Sequence, residues 1–273
     1  MRPFLCSIAV LLLVLLAWAP MARAQATHDS TISIAPDGVV SIGVMDCNVH
    51  VVGSARKDVK VTSASGDARV SGDGDHVSIH VRPGAAQSID VAVPAGVHLE
   101  VRGIEATVTV HEVSGPVQVG TVNGNVTVDG SPRDVEASSI SGNVDVSIRR
   151  GNVRASSVSG SVGVHLAGGG TAWAHTISGS ISIGGAPLSR VEAQSMSGNI
   201  DLDGRLEGDG VFEMHTHSGD VRVSVPKTPP VIIDVHTHAG RVDSPDAGAP
   251  APGSAHTVLT VRTFSGDVHV ERK

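Results

Sequence analysis

The sequence predicts an all-β protein wound as a β-solenoid, and three observations support this fold class. Glycine is abundant, with 32 residues in 273, whereas aromatic residues make up only 2% of the chain. A Ser-Gly-x-Val-x-Val motif recurs along the second half of the chain, with apolar and polar residues alternating on both sides of it. Short alternating segments between tight turns are typical of strands, and a fixed repeat is typical of stacked coils. The scarcity of rings indicates a thin core.

The repeating unit is 18–21 residues long and centred on a glycine. After a first half-step of 9 residues, successive glycines are 18, 18, 19, 19, 21, 21 and 26 residues apart. We expect glycine here because it adopts positive φ without a Cβ penalty. The predicted structural turns are Gly115, Gly124, Gly142, Gly160, Gly179, Gly198, Gly219, Gly240 and Gly266.

Each glycine lies between two predicted strands. After Gly160, Val162 and Val164 alternate with a small residue, and before it Val153 and Ala155 flank Arg154. This period of two predicts one buried face per strand. The position two residues before the glycine is mostly apolar, and we expect it to face inward at a corner; its members are Ile140, Val158, Ile177, Met196 and Phe264.

Because every coil repeats the same inward positions, we expect equivalent strands to stack in register and to pair in parallel. Residues 111–273 form the regular repeats, with a Pro/Ala/Gly loop at 244–255. Residues 25–110 alternate less evenly, and we interpret them as irregular N-terminal coils or a cap of the same solenoid.

The first 24 residues have the pattern of a signal peptide. Arg2 precedes an apolar run, and "ARA" at 22–24 offers small residues for cleavage before Gln25. We therefore expect export to the periplasm, the outer cell envelope or the medium; an uncleaved anchor is the alternative. Removal of this segment takes away two arginines and no acid, which changes the net charge from −7 to −9. An acidic chain argues against nucleic-acid binding and against membrane insertion after cleavage.

Cys47 is the one cysteine beyond the predicted signal peptide, so no intramolecular disulfide is expected. We interpret it as a small buried apolar residue and not as a nucleophile.

Two His-Thr-His triplets suggest a metal site. His215 and His236 lie four residues before their glycines, and Glu213 and Asp234 precede them by two residues. Adjacent coils would bring the imidazoles within about 5 Å of each other, a set that could bind Zn²⁺. The alternative, which we favour, is an exposed polar ladder without an ion and hence no cofactor.

His217 and His238 are polar residues in the apolar corner column. We expect them to be buried and neutral, and to weaken the coil pair when they are protonated near pH 5.

No motif of a known catalytic class is present, since G-x-S-x-G, H-E-x-x-H and G-x-G-x-x-G are all missing from the sequence. A polysaccharide-active β-helix enzyme is the alternative, because stacked acids lie at the spacing that glycosidases use. Its candidate carboxylates are Asp145, Asp201, Asp203, Glu192, Glu213 and Asp234, with Trp173 as a sugar-stacking ring.

The repeated Ser-Gly-[Asn/Asp/Ser]-Val motif and "VPAGVHLEV" at 93–101 resemble the bacterial putative-adhesin β-strand-repeat family, a domain of unknown function akin to auto-transporter adhesin heads. The resemblance covers nearly all of the chain beyond the signal peptide. It implies a single-stranded right-handed parallel β-helix and an envelope location, and it offers no catalytic residue. We therefore predict a non-catalytic, adhesin-like surface module whose partners are envelope proteins or surface glycans; the oligomeric state is left open.

The chain stops at "VHVERK", directly after its last motif. A last coil would expose unpaired backbone groups. We expect Glu271, Arg272 and Lys273 either to keep the protein monomeric by charge or to mark a docking edge.

Overall fold

The structure, a computed structural model, describes residues 28–63, 68–82, 88–225, 231–244 and 257–273. Every helix or strand assigned in these ranges is a strand, and the 23 strands form one solenoid-like sheet. The prediction of an all-β protein is confirmed. The predicted signal peptide and all of the 244–255 loop except Ser244 lie outside the described residues.

The described residues contain the following strands in chain order. The first half comprises β1 (His28–Ser33), β2 (Val39–Asp46), β3 (Asn48–Ser54), β4 (Asp58–Ser63), β5 (Ala68–Gly72), β6 (His76–Val81), β7 (Ser88–Pro94), β8 (His98–Glu105), β9 (Val108–Val113), β10 (Val117–Asn123), β11 (Val126–Gly130) and β12 (Asp134–Ser139). The second half comprises β13 (Val144–Ile148), β14 (Gly151–Ser157), β15 (Val162–Leu166), β16 (Gly170–Thr176), β17 (Ile181–Ser197), β18 (Ile200–Ser218), β19 (Val221–Val225), β20 (Val231–Ala239), β21 (Val242–Asp243), β22 (Thr257–Ser265) and β23 (Val268–Arg272).

Equivalent strands of neighbouring coils pair in parallel and form two ladders. In the first ladder Val135 pairs with Val153, one repeat further along the chain, as the sequence predicted. The long strands β17 and β18 contribute to both ladders. The first ladder runs β6, β2, β8, β10, β12, β14, β16, β17, β18, β22, β20, and the second runs β7, β3, β9, β11, β13, β15, β17, β18, β19, β23, β21.

The inward columns of the two ladders form one hydrophobic core. Val and Ala dominate the middle coils, as at Val153 and Ala155, and the largest buried side chains include Phe212 and Met214. Parallel stacking places like residues over one another, so a thin core closes without rings.

The N-terminal end departs from the predicted parallel winding. β1 and β4 pair antiparallel with each other, β4 pairs antiparallel with β7, and β5 pairs antiparallel with β6. The sheet is therefore mixed. Val59 and Val61 on β4 are fully buried, so these strands cover the end of the core. Antiparallel strands need only short connections, which makes them suitable covers for an exposed ladder edge.

The C-terminal coil is not the last coil in space, which corrects the expectation for "VHVERK". β22 lies between β18 and β20, and β23 lies between β19 and β21. The terminal Lys273 ammonium contacts Asp203, with Nζ 3.2 Å from a carboxylate oxygen. The coil at this end of the solenoid is formed by β20 and β21. Glu271 to Lys273 therefore do not lie at the exposed end.

The turns require glycine because of space. A Cβ on Gly160 would collide with the carbonyl oxygen of Gly142, and a Cβ on Gly142 would collide with that of Gly124. The predicted reason was positive φ, and values of 153–159° occur at Gly124, Gly219, Gly240 and Gly266. The close approach of stacked turns is the more general cause, since it applies at every predicted turn glycine.

A hydroxyl ladder joins the same turns, and the sequence analysis missed it. Three residues before the glycine, a Ser or Thr hydroxyl donates a hydrogen bond to a turn carbonyl of the neighbouring coil; the acceptor is Ala106 O for Thr121 and a glycine carbonyl in the later coils. Ser157 Oγ lies 2.8 Å from Gly142 O, and Thr176 Oγ1 lies 3.0 Å from Gly160 O. The signal was present as a Ser or Thr at this position in the repeats from Thr121 onward.

We predict that Gly160→Ala lowers the stability by about 3 kcal/mol, because the new methyl group has only a neighbouring backbone to displace. Thermal unfolding followed by circular dichroism measures the loss. The matched control is Gly120→Ala, where the nearest atom, Ser138 Oγ, is 3.4 Å from the new carbon. Equal melting temperatures for the two variants would contradict the spatial explanation.

We predict that Ser157→Ala costs about 1–2 kcal/mol, because the Gly142 carbonyl loses a buried hydrogen bond. Ser157→Thr should retain the wild-type stability, since threonine occupies the same position in the next coil. Urea denaturation of the two variants compares them directly. A Thr variant as unstable as the Ala variant would indicate a packing effect and not a lost hydrogen bond.

Candidate functional site

An exposed apolar column runs along one corner of the solenoid. It consists of the residues two positions before the turn glycine and their equivalents, and we call it the corner stripe. In spatial order its members are Met45, Ile104, Val122, Ile140, Val158, Ile177, Met196, His217, Phe264 and His238. The eight apolar members are 37–58% exposed.

The exposure corrects the expectation that this column faces inward. At the corner the buried hydroxyl of the preceding residue turns towards the neighbouring glycine, as Ser157 does. Val158 then follows outside the core, with 39% of its surface exposed. Two-residue alternation fails here because the chain is turning between the two ladders.

His217 and His238 are exposed members of this stripe, which corrects the expectation that they are buried. Their rings lie on either side of Phe264, each with a centroid separation of 4.9 Å and nearly parallel planes. These contacts extend the apolar column to the open end of the solenoid by ring stacking.

The residues beside the middle of the stripe are Ser, His and Gln. On one side the next residue is Ser141, Ser159, Ser178 or Ser197 in successive coils. On the other side, two residues earlier, stand Ser138, Ser156, His175 and Gln194. Apolar side chains bordered by Ser, His and Gln, and not by Asp, Glu, Lys or Arg, are easily desolvated, which favours contact with another surface.

The N-terminal end of the stripe differs from its middle. Met45 and Ile104 line a groove of about 610 Å³ together with Arg69, Arg82 and Arg102. The stripe therefore ends beside guanidinium groups.

The structure does not bring the predicted zinc ligands together. Arg262 pairs with His215 on one side and with His236 on the other, so a strand separates the two imidazoles. Thr260 separates Glu213 from Asp234 in the same way. The reason is that β22 lies between β18 and β20 in space, although it follows β20 in the chain. His236 Nε2 instead lies 3.0 Å from Asp234 Oδ1 of its own strand, and the described residues contain no group of three or more His, Cys, Asp or Glu that could hold a metal.

The candidate carboxylates form no common site on the second ladder. Asp145 and Asp201 are separated by the levels of Gly163 and Ser182. Asp201 lies 3.9 Å from Arg222. On the first ladder Glu192 and Glu213 are adjacent. That pair lies on an open strand face.

Trp173 lies on the same outward face and is 37% exposed. Arg154 and Glu192 are its ladder neighbours, and a shallow groove of about 520 Å³ runs beside it. The ring meets His175 edge to face, with a centroid separation of 6.0 Å.

Comparison with known families gives a match in the second half of the chain. Residues 171–271 match the Toastrack DUF4097 family. The match covers 101 of the 273 residues, so it shows a similarity of this part of the chain to that family. The resemblance to a putative-adhesin repeat family is thereby confirmed. No curated protein matches the chain.

Solved structures of low sequence identity are also similar. A putative adhesin from Bacteroides fragilis shares 12% identity, with 92% of this chain and 98% of that chain covered and a TM-score of 0.45. A putative adhesin from Parabacteroides distasonis shares 13% identity over 90% and 98%, with a TM-score of 0.29. A putative lipid binding protein from the same species shares 11% over 89% and 96%, with a TM-score of 0.30.

The segment that matches the Toastrack DUF4097 family contains only part of the corner stripe. Ile177, Met196, His217, Phe264 and His238 lie within it, whereas Val158 and the preceding members lie before residue 171. The stripe is thus a feature of the whole solenoid.

Within the described residues no helix is long and apolar enough to span a membrane.

Cys47 is buried, as predicted, with 3% of its surface exposed. Its thiol donates a hydrogen bond to the carbonyl of Asn48 at 3.3 Å. Burial raises the pKa of the Cys47 thiol, and the adjacent Asp46 carboxylate raises it further. A raised pKa lowers the thiolate fraction at any pH below it, so this thiol is a poor nucleophile.

We predict that iodoacetamide near pH 8 alkylates Cys47 at least about tenfold more slowly in the folded protein than in urea, because both burial and the raised pKa reduce reactive thiolate. The chain from Gln25 onward contains no other thiol. Mass spectrometry of timed samples measures the two rates. Similar rates in the folded and unfolded chains would show that the thiol is accessible.

Proposed function

We propose that the protein is an exported, non-catalytic envelope module that binds other envelope components along the corner stripe. The observation that carries the proposal is the continuous exposure of the stripe. Its eight apolar side chains expose surface on the order of 600 Å², the upper end of what monomeric soluble proteins show in one patch.

The stripe favours a partner with an extended apolar face. Successive members are about 4.8 Å apart, so the contact is long and narrow and gains strength by repetition. The neighbours Ser138, Ser156, His175 and Gln194 favour protein partners over acidic glycans, because none of these four side chains is Lys or Arg. This is an adhesin-like mode of binding, by area and not by a pocket.

Export rests on the sequence of residues 1–24, which has the charge, the apolar run and the small residues of a signal peptide. The protein then acts in the periplasm, on the outer envelope or outside the cell. A surface location agrees with the names of the similar structures.

The winding of the solenoid is proposed to be that of a single-stranded right-handed helix between its antiparallel cap and its last coil. Parallel strands in one sheet are joined by right-handed crossovers in about 98% of cases. The in-register parallel pairs from β8 to β18 support this reading. A crystal structure with left-handed coils would refute it.

The proposal predicts that the triple variant Ile140→Ser, Val158→Ser, Ile177→Ser loses its envelope partner, because the centre of the stripe becomes polar. Immobilised chain from Gln25 onward is incubated with envelope extract, and retained proteins are quantified by mass spectrometry. Retention of a specific partner should fall by at least about tenfold. N-terminal sequencing of native protein from the same envelope fraction should start at Gln25.

The matched control replaces exposed acids on the second ladder, with Asp129→Asn, Asp145→Asn and Asp201→Asn. It should bind as the wild type does, and circular dichroism should show that both triple variants remain folded. Equal loss in both would indicate a non-specific effect of charge or folding. A partner retained by the serine variant contradicts a role for the stripe, and a native chain starting at Met1 contradicts cleavage.

A further inference from the structure

The last coil of the solenoid leaves the core open. β20 pairs with β22 on one side, and no strand in the described part of the chain pairs with its other side. Leu259 and Val261 on β22 are fully buried, whereas Ile233 and Val235 on β20 are only half-buried. Val242 on β21 is 47% exposed. This end presents both an unpaired backbone edge and apolar core residues, which is the surface that strand addition uses.

The opposite end of the solenoid differs from this one, because the antiparallel strands β1, β4 and β5 lie there. Among the described strands β1 pairs only with β4 and β5 pairs only with β6, so each of them also has one unpaired edge. A head-to-tail contact between these two unlike ends would repeat from copy to copy and form a fibre. Pairing of two β20 ends instead buries this edge in a closed dimer.

The neighbouring chain segments are poor covers by composition. Residues 226–230 read PKTPP, and residues 245–256 read PDAGAPAPGSAH. Prolines have no N–H for a strand ladder, and neither segment contains Val, Ile, Leu, Met or Phe to cover Ile233 and Val235. A second copy of this chain supplies both the backbone partners and the apolar side chains.

We propose that the protein dimerises by antiparallel pairing of β20 with the same strand of a second copy, about a two-fold axis through Val235. In this register Asp234 faces the partner subunit's His236, so a carboxylate meets an imidazole N–H donor on each side of the axis. Ile233 faces the partner subunit's Thr237. Centring on Asp234 or on His236 would instead place two carboxylates or two imidazoles opposite each other, which is less favourable.

The pairing extends over all of Val231–Ala239, the full length of the strand. The two-fold axis also brings the β21 edges together, so Val242 of each copy moves away from water. Because paired strands run in opposite directions, the two corner stripes lie on opposite lateral sides of the dimer.

Sedimentation velocity of the chain from Gln25 onward, over a range of concentrations, tests the proposal. The wild type should show a concentration-dependent dimer. His236→Asp should raise the dimer dissociation constant by about tenfold, because two pairs of carboxylates then face each other across the axis. The double variant Asp234→Asn, His236→Asp should restore dimerisation, since an amide donor again faces a carboxylate.

His215→Asp is the matched control. It alters the same outward column two levels inside the solenoid, away from the edge, and should leave the dissociation constant unchanged. The serine variant of the corner stripe should also dimerise, which separates this inference from the proposed function. A wild type that is monomeric at every concentration overturns the proposal. A dimer that His215→Asp weakens as much as His236→Asp, or that the double variant fails to restore, overturns it too.

Discussion

Close stacking of the turns is the constraint on which the structure depends. Each predicted turn glycine lies against a backbone carbonyl of the neighbouring coil, from Gly142 onward that of a glycine, at a distance that excludes a Cβ. The same carbonyl accepts a buried hydroxyl from the coil above it, as Gly142 O does from Ser157. These contacts fix the vertical register in the coils that carry a turn glycine. Because side chains alternate with a period of two, a fixed register decides which residues form the core and which form continuous columns outside it.

The corner stripe follows from that register. A single exposed Val or Ile on a surface has no significance, but one per coil at a fixed position becomes a continuous apolar line. Ile140, Val158 and Ile177 are individually ordinary residues that together form the middle of the exposed stripe, which is the proposed binding surface. The solenoid thus produces a long surface from a short repeat, which suits binding by area without a pocket.

The two ends of the solenoid differ in how far their strand edges are covered. At the N-terminal end, antiparallel strands cover the ladders and bury Val59 and Val61. At the other end, the chain passes over one level and returns, so that β22 and β23 insert below β20 and β21. The edge left open is therefore an internal segment of the sequence. Its exposed core residues explain why a second copy is the partner best matched to it.

The sequence by itself determined the strands, the turns and the columns. The pairing of Val135 with Val153 and the outward position of Arg154 followed from alternation and a fixed repeat, both local properties. Only the tertiary structure decided that Val158 faces water and that Arg262 lies between His215 and His236. The exposure of Val158 depends on how the chain turns between the two ladders, where alternation is broken. The position of Arg262 depends on which coil lies next in space. Equivalent coils carry nearly the same pairing pattern, and a connecting loop can skip a level at little cost in loop-closure entropy.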